Sequence, residues 1–61
     1  MVKDASEIKQ LLEDPDTRQE GLLALGEWII KTCLLFGTTL DTAYQVAALM
    51  VGGVRRRYEE T

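Results

Sequence analysis

The stretch GLLALGEWIIKTCLLFG, residues 21–37, decides how this chain folds. At about 100° per residue, Leu22, Leu25, Ile29, Cys33 and Phe36 fall on one stripe of a helix. Leu23, Ile30 and Leu34 lie to one side of that stripe, Trp28 and Leu35 to the other. Glu20, Glu27 and Lys31 are left as a narrow polar strip, with Glu27 and Lys31 spaced for a favourable i,i+4 pair. A helix that is apolar around most of its circumference must be buried on more than one side.

The flanking residues carry start and stop signals. In DPDT, 14–17, Asp14 can cap, Pro15 suits a first helical position that needs no N–H, and Asp16 favours the positive end of the helix dipole. This predicts a helix over 15–36, ended by Gly37 as a residue able to take positive φ. Upstream, Asp4 and Glu7 have capping-box spacing ahead of an apolar face of Ala5, Ile8, Leu11 and Leu12, predicting a short helix over 4–13. Downstream, Thr38 and Asp41 repeat the capping signature before a stripe of Leu40, Ala43, Ala47, Met50, Val54 and Tyr58, predicting a helix over 39–58. Ala48, Gly52 and Gly53 leave the other faces of that helix small-sided. Adjacent glycines cost a helix about 1 kcal/mol each against alanine, so Gly52-Gly53 reads as a close crossing point or a kink.

The expected fold is all-α: one domain over 1–61, a small three-helix bundle with a short first helix. A chain of this length buries only roughly 60% of its unfolded surface, and its core rarely supplies more than about 3–5 kcal/mol. The single cysteine, Cys33, excludes an internal disulfide, and the absence of histidine excludes an ordinary zinc set. Self-association as a homodimer or higher oligomer is the remaining route to a larger core. Its expected interface is Leu22, Leu25, Trp28, Ile29, Leu35, Phe36, Ala47 and Met50.

Catalysis finds little support. No histidine is present to act as general base, and Cys33 on an apolar stripe behaves as a small hydrophobe. Glu13, Asp14, Asp16 and Glu20 cluster at a helix junction, where acids are expected for capping. Gly21 and Gly26 are followed by no Lys-Ser/Thr of a phosphate loop. The expectation is a non-enzyme with no metal and no cofactor.

The segment CLLFGTTLDTAYQV, 33–46, resembles the turn of a helix-turn-helix, with Gly37 as its turn glycine and Ala43 and Val46 as buried positions. Thr32 and Thr38 stand where that motif has apolar residues. Its reading positions would be Leu40, Asp41, Tyr44 and Gln45, and no base precedes Arg55 in that helix. Affinity for DNA comes largely from neutralised phosphates, so nucleic acid is a disfavoured partner.

The net charge is −3, yet Arg55, Arg56 and Arg57 stand together near the end. Arg55 has Glu59 and Arg56 has Glu60 four residues on. Arg57 has Gly53 four residues before it and projects toward the apolar stripe near Val54. Arg57, with Arg56, Tyr58 and Gly53, is therefore the candidate partner or ligand site.

The function expected from these features is stoichiometric protein–protein binding by a helical oligomer: an adaptor, inhibitor or assembly factor. Small acidic helical proteins of this kind are frequent in phages and mobile elements. A different class is a sponge for a small anionic ligand, such as a nucleotide, at a subunit boundary. MVKDASEIK, 1–9, has no apolar signal region, and Thr42 to Val54, the longest uncharged run, is short of the ~20 residues that span a bilayer. With one thiol, this favours a cytoplasmic setting away from membranes.

Overall fold

The computed structural model describes residues 4–60. Among them the chain forms three α-helices and no strand: α1 Ala5–Glu13, α2 Arg18–Leu35 and α3 Leu40–Glu59. The Asp4 carboxylate accepts from the Glu7 amide at 2.9 Å and opens α1. Asp14, preceding the proline, is extended with ψ 122° and closes it.

The DPDT segment departs from expectation, because Pro15 does not begin α2. The Asp14 carboxylate takes the Asp16 amide at 3.0 Å, and the Asp14 carbonyl takes the Thr17 amide at 3.1 Å. That local turn competes with helix and delays α2 to Arg18. The delay has a structural use. Thr17 Oγ1 donates to the Leu11 carbonyl at 2.9 Å and Arg18 Nε to the Leu12 carbonyl at 2.8 Å. Both carbonyls belong to the last turn of α1, where the helix itself offers no partner.

At the other end of α2, Gly37 takes φ 85° as its position required. The Gly37 and Thr38 amides donate to the Leu34 and Cys33 carbonyls, each at 3.1 Å, forming a Schellman end. Thr39, rather than Thr38, caps α3 by accepting from the Thr42 amide at 3.3 Å.

Helix α2 lies between the other two. Along α3 the chain runs antiparallel, bringing Gly26 beside Val51. Helix α1 folds back on the first half of α2. Ile8, Leu12 and Leu22 form a buried cluster there, with Leu25, Val51, Val54 and Tyr58 packed on it. Farther along, Ile29, Ala43 and Ala47 are buried between α2 and α3. The backbone spans 34 × 24 × 13 Å, a flattened three-helix arrangement in which α1 and α3 each pack chiefly on α2.

The close approach in this arrangement is at Gly21. A Cβ there would stand 3.0 Å from both Leu11 Cβ and the Leu12 backbone nitrogen. The expected crossing at Gly52-Gly53 is not found: a Cβ at either position meets nothing within 4 Å, and α3 runs through both. A glycine is tolerated in α2 because another backbone lies against it, whereas the α3 pair faces away from α1 and α2.

Two substitutions separate these effects. Gly21→Ala should destabilise by roughly 1–3 kcal/mol, since backbone is the obstacle and outweighs the gain in helix propensity. Gly26→Ala, whose Cβ would sit 3.7 Å from Val51 Cγ2, should stabilise by roughly 0.5–1 kcal/mol. Urea denaturation of both variants beside the parent chain measures the contrast.

Candidate functional site

The residues expected at an interface divide into two sets. Leu22, Ile29 and Ala47 are only 7%, 5% and 4% exposed; they serve the chain's own core and leave the interface set. Leu25 is half-buried in the cluster with α1. Trp28, Met50, Phe36 and Leu35 face solvent at 39%, 53%, 85% and 86%. Periodicity placed all of them on apolar stripes, but could not tell which stripe the chain covers itself.

On one side of the α2–α3 pair, Trp28, Ile29, Thr32, Cys33, Val46 and Met50 line a shallow apolar cleft. None of those side chains is charged. Leu49, 78% exposed, extends the apolar surface of α3, and Leu35 and Phe36 form its tip beside the turn. Leu49 was missed in the sequence because it lies outside the stripe that faces α2. The opposite side of the pair is lined by Leu23, Gly26, Ile30, Tyr44, Ala48 and Val51, with Glu27 among them.

Nearer α1, the first side deepens into a cleft of about 510 Å³ lined by Leu12, Leu25, Val54, Arg57 and Tyr58. The position of Tyr58 is set from below. Its ring carries the Arg18 guanidinium 4.9 Å from the centroid, and the same Arg18 holds the Leu12 carbonyl. One arginine thus ties the end of α1, the start of α2 and the last turns of α3 together.

The arginine triplet separates only in part as its helical spacing implies. Arg55 pairs with Glu59 at 2.9 Å on the surface. Arg57 reaches the cleft and has no ion pair or hydrogen bond among the described residues. Arg56 lies outside the cleft, and neither Arg56–Glu60 nor Glu27–Lys31 is among the ion pairs of the described residues. Gly53 is exposed and lines no part of this cleft. Of the four residues proposed as a ligand site, the fold brings together Arg57 and Tyr58, on apolar walls.

Among the described residues no group of three or more His, Cys, Asp or Glu could hold a metal ion. Asp14 is engaged in its turn, and Glu13, Asp16 and Glu20 are exposed around it. Among the described residues no helix is long and apolar enough to cross a membrane. Comparison with protein-family models, curated proteins and solved structures found no match.

The Arg18 linkage has a measurable weight. Arg18→Ala removes a charge-assisted bond to the Leu12 carbonyl and the cation over Tyr58, and should lower stability by about 1–3 kcal/mol. Arg18→Lys should recover only part, because an ammonium cannot reach the carbonyl and lie flat on the ring together. Urea melts of both variants check the order.

Proposed function

We propose that this chain is a non-enzymatic binding protein that works as a homo-oligomer, engaging another protein stoichiometrically as an adaptor, inhibitor or assembly factor. The observation that carries the reading is the apolar, solvent-facing surface of Trp28, Leu35 and Phe36 on α2 and Leu49 and Met50 on α3, around a cleft lined by no charged side chain. Single exposed apolar residues are ordinary, but a contiguous patch marks a surface that meets another macromolecule. Cys33 as a lone thiol fits a reducing compartment such as the cytoplasm.

A second reading takes the Arg57 cleft as a pocket for a small anion. Its walls of Leu12, Leu25 and Val54 suit an anion with an aliphatic body better than a nucleotide. DNA binding is the least supported reading. The exposed candidate reading positions, Leu40, Asp41, Tyr44 and Gln45, contribute one acid and no base.

Light scattering at micromolar concentration should return at least twice the 6.9 kDa chain mass. Tagged chain should capture a host or partner protein from lysate at a fixed stoichiometry, and duplex DNA at ~150 mM salt should give no complex tighter than about 10⁻⁶ M. A monomer that captures nothing refutes the proposal, and a nanomolar sequence-dependent DNA complex replaces it with the regulator reading.

A further inference from the structure

We infer that the Trp28–Met50 face is covered by a second copy of this chain, packed antiparallel about a two-fold axis, with the Leu35–Phe36 tip of each copy seated in the Arg57 cleft of the other. This rests on the self-association reading and adds its geometry.

Three measures favour a second copy. A chain this small buries little apolar surface alone, and here Leu35, Phe36, Leu49 and Met50 remain 86%, 85%, 78% and 53% exposed. The chain exposes 4729 Å², whereas a folded monomer of 6.9 kDa scales to roughly 4,000 Å². The excess of about 700 Å² is close to the ~800 Å² that each partner buries in a standard interface. An identical copy carries the same exposed Trp28, Leu35, Phe36, Leu49 and Met50, and a two-fold contact lets each patch cover the other. The central cleft of the face is lined by no charged side chain, and the charges beside it are Lys31 near Leu35 and Arg57 near Val54, so a chain of net charge −3 brings no acids together there. The opposite side would bring Glu27 into such a seam with no base in its lining.

The orientation follows from the length of α1. Its 9 residues cover about 14 Å, half of the roughly 27 Å of the 18-residue α2. The uncovered half lies toward the tip, and antiparallel packing lays one uncovered half on the other. From Leu25 to Phe36 is about 16 Å of helix. An axis crossing between Ile29 and Thr32 therefore carries the Phe36 of one copy to the level of Leu25 and Val54 in the other, where the cleft opens.

Electrostatics point the same way. The last turn of α2 contains no basic residue, so the negative end of its dipole is uncompensated within the helix. Arg57 is a cation with no hydrogen bond or ion pair among the described residues, on the lip of the cleft that receives that end. In the dimer the guanidinium serves the final α2 carbonyls of the other copy and flanks the Phe36 ring. No acid is needed.

The test uses the full chain with Cys33→Ala, which removes the native thiol. Phe36→Cys and Val54→Cys are made separately, mixed and oxidised, so that a disulfide joining 36 to 54 must link two copies. Circular dichroism confirms the helical content of each. The mixed pair should give at least about tenfold more linked dimer than either variant alone, since the two-fold axis separates 36 from 36 and 54 from 54. Separately, Arg57→Ala should raise the dimer Kd about tenfold, with partial recovery in Arg57→Lys, while Arg56→Ala changes it less than about twofold. A chain that stays monomeric at ~100 μM overturns self-association and this inference together. A dimer whose 36–36 link equals or exceeds 36–54, or for which Arg57→Ala costs no more than Arg56→Ala, overturns the arrangement alone. A different protein found on the face of a monomer also overturns it.

Discussion

Helix α2 carries apolar side chains around most of its circumference, and the chain has two other helices with which to cover them. One of these, α1, has only 9 residues. The rest of the molecule follows from this shortage. Helix α3 takes the stripe centred on Leu22, Gly26, Ile29 and Cys33, and α1 takes the flank at Gly21 as far as its length allows. Beyond that point, Trp28, Leu35 and Phe36 remain 39%, 86% and 85% exposed. Both α1 and α3 pack chiefly on α2, and they meet through side chains at the cluster of Ile8, Leu12 and Leu22, on which Val54 and Tyr58 rest.

The two ends of the molecule are held unequally. At the α1 end, the Leu11 and Leu12 carbonyls are capped from α2, Tyr58 stacks on Arg18, and Gly21 lets two backbones approach closely. At the other end, the Schellman turn at Gly37 and the Thr39 cap hold the backbone, but little covers the side chains. Among the described residues, the hydrophobic side chains less than 5% exposed are Ile8, Ala43 and Ala47. A core built from so little apolar volume contributes only a few kcal/mol against the conformational entropy of folding. The apolar side chains at the tip, Leu35 and Phe36, stay exposed and add little to that core.

This frame also accounts for an arginine run in an acidic protein. Arg55 pairs along its own helix, a surface contact of small weight. Positive charge near the C-terminus of α3 is favourable for all three members. Arg57 differs through its direction, since it alone of the triplet reaches the apolar cleft between α1, α2 and α3. A cation on the rim of an apolar cleft selects for an electron-rich, uncharged or anionic group that also carries hydrocarbon. The end of a helix bearing Leu35 and Phe36 has that composition.

By itself, the sequence determined the helices, most of their limits and the capping roles of Asp4 and Gly37, while the cap of α3 fell one residue later than expected, at Thr39. Those signals are local: Asp4 needs only Glu7, and Gly37 needs only its own backbone freedom. It also marked α2 as too apolar to be covered by its neighbours and Arg57 as the odd arginine, because helical spacing alone separates these features. The start of α2 was misread since Asp14 has two local options, capping a helix or closing a turn, and the choice is made by the carbonyls of α1 that Thr17 and Arg18 reach. The glycines were misassigned for a similar reason. Glycine at 21, 26, 52 or 53 looks alike in a helix, and only the position of α1 makes the first one a crossing. Likewise Leu22, Ile29 and Ala47 could not be told from Trp28 and Phe36 by periodicity. All lie on apolar stripes, and which stripe is buried depends on where the short α1 ends and which side α3 takes, both properties of the packed chain.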